Sequence, residues 1–225
     1  MSPDPAMGGY RAFPPVVTAL LVLNGLVFLL QGAWGNELVY WLALWPLGLD
    51  TLFGAYAGPL PGFEPWQLLS YSVLHGGTLH LFANMFALWM FGVQLENYWG
   101  SRPFGVYYLV CVLGAALIQL YVATQAAQQG DVYPTVGASG GVFGILLAFA
   151  MMFPNQRIML LFPPIPMKAK WFVMLYGAFE LYAGLTGSQA GVAHFAHLGG
   201  MLFGFIMIMY WRGRLPLKPR RQLRG

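Results

Sequence analysis

Apolar residues gather into six runs along the chain, roughly Pro15–Gly32, Leu68–Val93, Phe104–Thr124, Val136–Phe153, Trp171–Leu185 and Val192–Trp211. A helix that crosses a bilayer needs about 20 mostly apolar residues. Six such helices would use just over half of the 225 residues, leaving short loops and tails and no room for a separate soluble domain. The second run is the least apolar: its first half carries Ser70, Ser72, His75, Thr78, His80 and Asn84. Polar groups inside a membrane span are costly and mark a functional site by default. No soluble-type repeat and no low-complexity linker is present.

Composition agrees with lipid as the main solvent. The chain is 58% apolar and only 8% charged, against about 25% charged for a soluble domain. The expected fold is an all-α membrane protein, a bundle of six transmembrane helices. Residues 1–13 form a short cytoplasmic tail, 14–211 the six-helix core, and 212–225 a basic cytoplasmic tail. The lone cysteine, Cys111, excludes an internal disulfide and a cysteine metal site, and reads as a small packing residue. The first run is long and lies behind a Pro-rich start, unlike a cleaved signal.

Charge sets the orientation. The 11 Lys and Arg residues are Arg11, Arg102, Arg157, Lys168, Lys170, Arg212, Arg214, Lys218, Arg220, Arg221 and Arg224. With six spans they all fall on the side that holds both termini, while the opposite loops hold Glu37, Asp50, Glu64 and Asp131 and no base. Basic residues mark the cytoplasmic face, so both termini are expected there, in a multi-pass protein of a bacterial plasma membrane. The net charge of +4 is then a topological anchor and a contact for anionic lipid, not a nucleic-acid surface. The loop 33–66 carries Trp34, Tyr40, Trp41, Trp45, Phe53 and Tyr56. Such rings favour the headgroup boundary, so this loop is expected to lie in the outer interface, partly helical.

Segments two, four and six all start outside and run inward, with their informative residues in their outer halves. These residues are His75, His80 and Asn84 on two, Gly137-Ala138-Ser139-Gly140 opening four, and His194 and His197 on six. Small-xxx-small pairs, Gly140 with Gly144 and Gly200 with Gly204, permit close backbone approach of helices four and six in lipid. That crossing brings Ser139 within reach of His197. A serine hydroxyl is a weak nucleophile until a base takes its proton, and histidine suits that task near neutral pH. The unpaired N–H groups at the start of helix four can hold an oxyanion, with His80 and Asn84 as further donors. Phe143, one turn below Ser139, can stack on the imidazole. No carboxylate is evident to hold His197: Glu96 lies at the cytoplasmic end of helix two, and Glu180 has no identified partner. The expected machinery is a Ser139–His197 dyad, with His197 rather than His194 as base and with His194 nearer the surface and solvated.

At these residues the chain resembles the rhomboid family of intramembrane serine proteases. Gly137-Ala138-Ser139-Gly140 looks like the family's Gly-x-Ser-Gly motif. Ala196-His197-Leu198-Gly199-Gly200 with Gly204 looks like its histidine helix. His75 and His80-Leu81-Phe82-Ala83-Asn84 look like its second-helix motif, and Glu96 with Gly100-Ser101 resembles the turn that follows. The likeness runs from helix one to helix six. It implies a compact six-helix core with a water-filled cavity open to the outside. It also implies cleavage in or near transmembrane segments of other proteins without metal or cofactor, with Ser139 and His197 catalytic and His80, Asn84 and Ser139 at the oxyanion. Gly137, Gly140, Phe143 and Gly200 would support them. Two departures stand out: Trp66-Gln67 replaces a Trp-Arg pair of some relatives, and Phe143 replaces a tyrosine.

Three other readings compete. A pseudoprotease that binds membrane clients without cutting them usually lacks the serine or the histidine, and both are present here. A metalloenzyme could use His194 and His197 with His75 or His80, but there is no His-Glu-x-x-His pattern. A transporter has no positive support. Oligomeric state and the identity of the substrate are not legible.

Overall fold

The computed structural model describes residues 9–49, 61–159, 164–187, 192–217 and 219. Asp50, Phe53, Tyr56, Lys218, Arg220, Arg221 and Arg224 lie outside the described residues, as do the first eight. Six long helices correspond to the six apolar runs. They are α1 (Pro15–Leu42), α2 (Thr78–Trp99), α3 (Ser101–Gln128), α4 (Ser139–Met152), α5 (Ala169–Thr186) and α6 (His194–Trp211). Among the described residues, α1, α2, α3 and α6 are long and apolar enough to cross a membrane, and α4 is a shorter apolar helix. The fold is an all-α membrane bundle.

The boundaries depart from the hydrophobic runs in instructive ways. Helix α1 continues ten residues beyond Gly32, through a non-helical Trp34 (φ −130°, ψ 39°), so the first part of the aromatic loop is helical. The second run is not one helix. A short helix Gln67–Ser70 passes into a 3-10 turn Tyr71–Val73, and the chain then loops through Gly76-Gly77 before α2 begins at Thr78. Ser72 and His75 therefore lie in irregular backbone held by protein, the only place such backbone is tolerated at membrane depth, while Thr78, His80 and Asn84 fall in the first turns of α2. Helix α2 carries a π-helical turn at Leu88–Gly92. A two-stranded hairpin, Arg157–Met159 with Pro166–Lys168, links α4 to α5; three-residue strands are too short to leave a periodic signal.

Glycines decide the packing. A Cβ at Gly200 of α6 would land on the carbonyl oxygen of Gly140 in α4, and one at Gly140 would collide with the Ala115 side chain of α3. At Gly144 the obstacle is the buried Cys111 thiol, and at Gly204 the Tyr107 hydroxyl, which donates a 2.7 Å hydrogen bond to the Gly144 carbonyl. The expected small-residue contact of helices four and six is present, but Gly204 faces α3 rather than α4. Cys111 is fully buried and fills space, as its sequence context suggests.

The two ends of the bundle differ chemically. Glu96, buried at the end of α2, accepts the Val16 and Val17 N–H groups at 2.9 and 2.8 Å. A carboxylate at a helix start satisfies orphan donors and opposes the positive end of the dipole, so α1 is pinned to α2. Arg11 and Asn97 exchange hydrogen bonds, and Arg212 donates to the Met151 carbonyl. Arg11, Arg102, Arg157, Lys168, Lys170, Arg212 and Arg214 thus share the end where the hairpin lies, while Glu37, Glu64 and Asp131 lie toward the other.

Because the neighbour of Gly200 is backbone, it cannot rotate aside. Gly200→Ala is expected to destabilise the detergent-solubilised protein by about 1–3 kcal/mol, read as a lowered thermal unfolding midpoint. Gly25→Ala, with open space around it on α1, should leave the midpoint unchanged or raise it. Equal midpoints for the two variants would contradict the tight crossing.

Candidate active site

The layer that brings the polar residues together is set by two backbone joints and by side chains that grip the loops. Leu44 and Thr135 exchange backbone hydrogen bonds, at 3.0 and 2.9 Å, and Gly137 N–H donates to the Tyr71 carbonyl at 2.9 Å. The Gln31 side chain grips the loop before α2, accepting the His75 N–H at 2.9 Å and donating to its carbonyl at 3.1 Å. The Trp66-Gln67 pair anchors the aromatic segment: the Trp66 indole donates to the Trp41 carbonyl, and the buried Gln67 amide bonds the Trp45 N–H and the Gly62 carbonyl.

Gly137 adopts φ +130°, and a Cβ there would come within 2.7 Å of the His80 ring. Glycine is needed for both reasons. The chain then turns so that Ser139 opens α4. The first intrahelical acceptor in this turn is the Ala138 carbonyl, which takes the Val142 N–H. The N–H groups just before Val142 are the orphan donors of a helix start.

Ser139 Oγ stands 2.8 Å from His197 Nε2. The His197 ring is stacked on Phe143 with centroids 4.1 Å apart and planes 6° from parallel. Its other nitrogen, Nδ1, lies 2.8 Å from Glu180 Oε2, and His194 Nδ1 lies 2.7 Å from the same oxygen. An ionised carboxylate only accepts, so with Glu180 ionised both imidazoles donate from Nδ1. His197 is thereby left with Nε2 as the acceptor for the serine hydroxyl. All three polar side chains are buried, with Glu180, His194 and His197 exposed by 3, 5 and 8%.

Two expectations are corrected here. His197 does have a carboxylate partner, Glu180 of α5, and His194 is buried in the same cluster rather than solvated. A signal for this was present in the sequence: Gly177, Glu180 and Gly184 lie three and four residues apart, on one face of a helix. A Cβ at Gly184 would press on Phe195 and His194, and one at Gly177 on Met201. The glycines let α5 approach α6, and the carboxylate between them needs a partner there.

The remaining candidates surround this chain of bonds. His80 Nδ1 accepts a long, 3.4 Å contact from the Gly76 N–H, and its other ring nitrogen, Nε2, lies beside Gly137. Asn84 is buried, and its amide donates to the His80 carbonyl at 2.9 Å, taking one of its two N–H groups. The His75 ring lies edge-on to His80 with centroids 5.1 Å apart. A cavity of about 580 Å³, lined among others by His80, Gln119, Asp131, Tyr133, Val136 and His194, adjoins the site.

Glu180, His194 and His197 also have metal-ligand chemistry, with ligand atoms within 4.8 Å of one another. Ligands held about 2.0–2.2 Å from a tetrahedral zinc stand roughly 3.3 Å or more apart. The 2.7 and 2.8 Å separations fit a shared proton better than a shared cation, and Nε2 of His197 is engaged by Ser139.

Comparison with known proteins adds the ancestry of this arrangement. The family model described as the Rhomboid domain matches residues 62–214, which takes in α2 to α6 but not α1, a narrower span than the likeness expected from the sequence. The chain is 32% identical to Rhomboid protein 1, mitochondrial, of Saccharomyces cerevisiae over 151 residues, 67% of this chain and 43% of that protein. It is 34% identical to RHOMBOID-like protein 4 of Arabidopsis thaliana over 148 residues, 65% of this chain and 34% of that protein. It is 30% identical to Presenilin-associated rhomboid-like protein, mitochondrial, of Rattus norvegicus over 166 residues, 68% and 41% of the two chains. The chain spans less than half the length of these relatives. Two of the three carry a mitochondrial name, which runs against the bacterial membrane expected from the sequence. With the match extending over more than half of its residues, the chain belongs to the rhomboid family.

Proposed function

We propose that this protein is an intramembrane serine endopeptidase that cleaves transmembrane segments of other membrane proteins. The observation that carries this reading is the 2.8 Å contact between Ser139 Oγ and His197 Nε2, with the imidazole buried. His197 takes the hydroxyl proton as Oγ attacks the scissile carbonyl carbon. The carbonyl π electrons move to oxygen, and the oxyanion is met by the N–H groups at the start of α4, by His80 Nε2–H and by the free N–H of Asn84. Collapse expels the amine, which takes the proton from His197 and leaves an ester on Ser139. Water, deprotonated by the same imidazole, hydrolyses the ester. Phe143 holds the ring plane, Gly137 makes room for His80, and Gly140 and Gly200 set the distance between nucleophile and base.

The partners are transmembrane substrate proteins and the bilayer itself, with no cofactor required by this chemistry. The basic end faces the cytoplasm or its topological equivalent, a placement that serves a bacterial or a mitochondrial membrane alike. A client-binding pseudoprotease is less favoured, because both reacting groups are present and bonded to one another.

A fluorophosphonate probe is expected to label wild-type protein at Ser139 and to fail with Ser139→Ala, while chelators leave peptide cleavage in liposomes intact. Cleavage lost on metal removal and restored by zinc would instead favour the Glu180, His194 and His197 cluster as a metal centre.

His80→Ala and Asn84→Ala should lower kcat, each by up to about 100-fold, with little change in KM, since donors aimed at developing charge act mainly in the transition state. Steady-state kinetics against a single-span substrate decides it; changes confined to KM would remove these residues from the oxyanion site.

His197→Ala should abolish cleavage, and His194→Ala should leave a measurable fraction, since His194 touches Glu180 and not Ser139. The opposite order in folded, purified variants would reassign the base.

A further inference from the structure

Glu180 is the one buried acid of α5, and the serine chemistry described above does not use it directly. It stands between two imidazoles, and a single oxygen, Oε2, receives both Nδ1–H groups. A buried carboxylate is unfavourable in lipid unless paired, and here two donors supply the pairing. We propose that Glu180 is a positioning residue for the protease reaction. It holds His197 in the Nδ1–H tautomer and orients Nε2 at Ser139, with His194 as the second donor that locks the carboxylate in place.

The argument runs through His197 in both directions. Before reaction, a neutral imidazole can carry its proton on either nitrogen, and only the Nδ1–H form can take the serine proton at Nε2. An acceptor fixed at Nδ1 selects that form. During reaction the Ser139 proton moves to Nε2, the ring becomes an imidazolium with a proton on each nitrogen, and its charge forms 2.8 Å from the Glu180 carboxylate. The carboxylate keeps its own protonation state throughout, as an orienting acid does in a serine–histidine pair.

The placement is also mechanical. Phe143 restricts the ring plane by stacking, which leaves rotation within that plane. Glu180 supplies the in-plane restraint that stacking lacks. Because Gly177 and Gly184 let α5 approach Met201, Phe195 and His194 of α6, the register between these helices becomes part of the catalytic geometry. His194 ties the first residue of α6 to the same oxygen, so the helix start and the base move as a unit.

This inference rests on the serine-protease reading, and the test separates the two. Glu180→Gln keeps the volume but can present an amide N–H to Nδ1 and so select the wrong tautomer. It is expected to lower kcat at least about 100-fold with KM within about twofold, and to slow fluorophosphonate labelling of Ser139 in parallel. Glu180→Asp, which restores a carboxylate, should recover part of the rate. In ¹⁵N-histidine spectra of Ser139→Ala protein, His197 should show a protonated Nδ1 with a downfield proton, absent when Glu180→Gln is added. A His197 protonated at Nε2 in otherwise wild-type sequence, or full kcat in Glu180→Gln, would overturn the positioning role. If wild-type protein neither cleaves nor takes the probe while His197 still shows the Glu180-dependent Nδ1 proton, the protease reading fails and the Glu180 contact stands.

Discussion

The contact between Gly200 and the Gly140 carbonyl is the constraint on which the site depends. In lipid there is little hydrophobic force between helices, so association rests on close packing and interhelical hydrogen bonds. Here α6 meets α4 where neither has a side chain, and α3 closes the third side through Ala115, Cys111 and Tyr107. With that crossing tight, residues 58 positions apart in sequence stand at 2.8 Å. Any added carbon would push apart the helix that bears Ser139 and the one that bears His197.

Polar side chains that tie the bundle together sort by depth. Glu96, at the basic end, meets the N–H groups that begin α1 and acts as a helix cap. Gln31 and Gln67, toward the opposite end, hold irregular backbone that water would otherwise have to solvate. Glu180 meets imidazoles instead of backbone. The first three satisfy main-chain groups and account for shape. Glu180 alone among them bonds side chains that can change protonation state, which is why its chemistry differs.

Irregular backbone before α2 and before α4 is what brings His80 against the start of α4. If the second apolar run had been one continuous helix, the N–H of Gly76 would be engaged within it and His80 would sit in mid-helix. The Gly76-Gly77 break instead starts α2 at Thr78, so His80 lies in its first turn, with its ring over Gly137. The positive φ of Gly137 then lets α4 begin at Ser139, with the Gly137 backbone against that ring.

Much of this was legible from residue order. Six apolar runs, the one-sided basic residues, the Gly-x-Ser-Gly opening and the paired glycines fixed the number of helices and their direction. They also brought Ser139, His197, His80 and Phe143 to one layer, because alternating spans force such residues to a common depth. Helix ends were less legible: apolar runs report lipid contact, whereas α1 extends to Leu42 and the Leu74–Gly77 loop departs from helix for reasons of hydrogen bonding. The glycines flanking Glu180 mark a face of α5 that packs closely, but which side chains the carboxylate meets depends on the rotation of α5 against α6, and sequence spacing carries a helix's own periodicity but not its angle to a neighbour. Packing at Gly177 and Gly184 sets that angle, and with it the carboxylate meets His194 and His197.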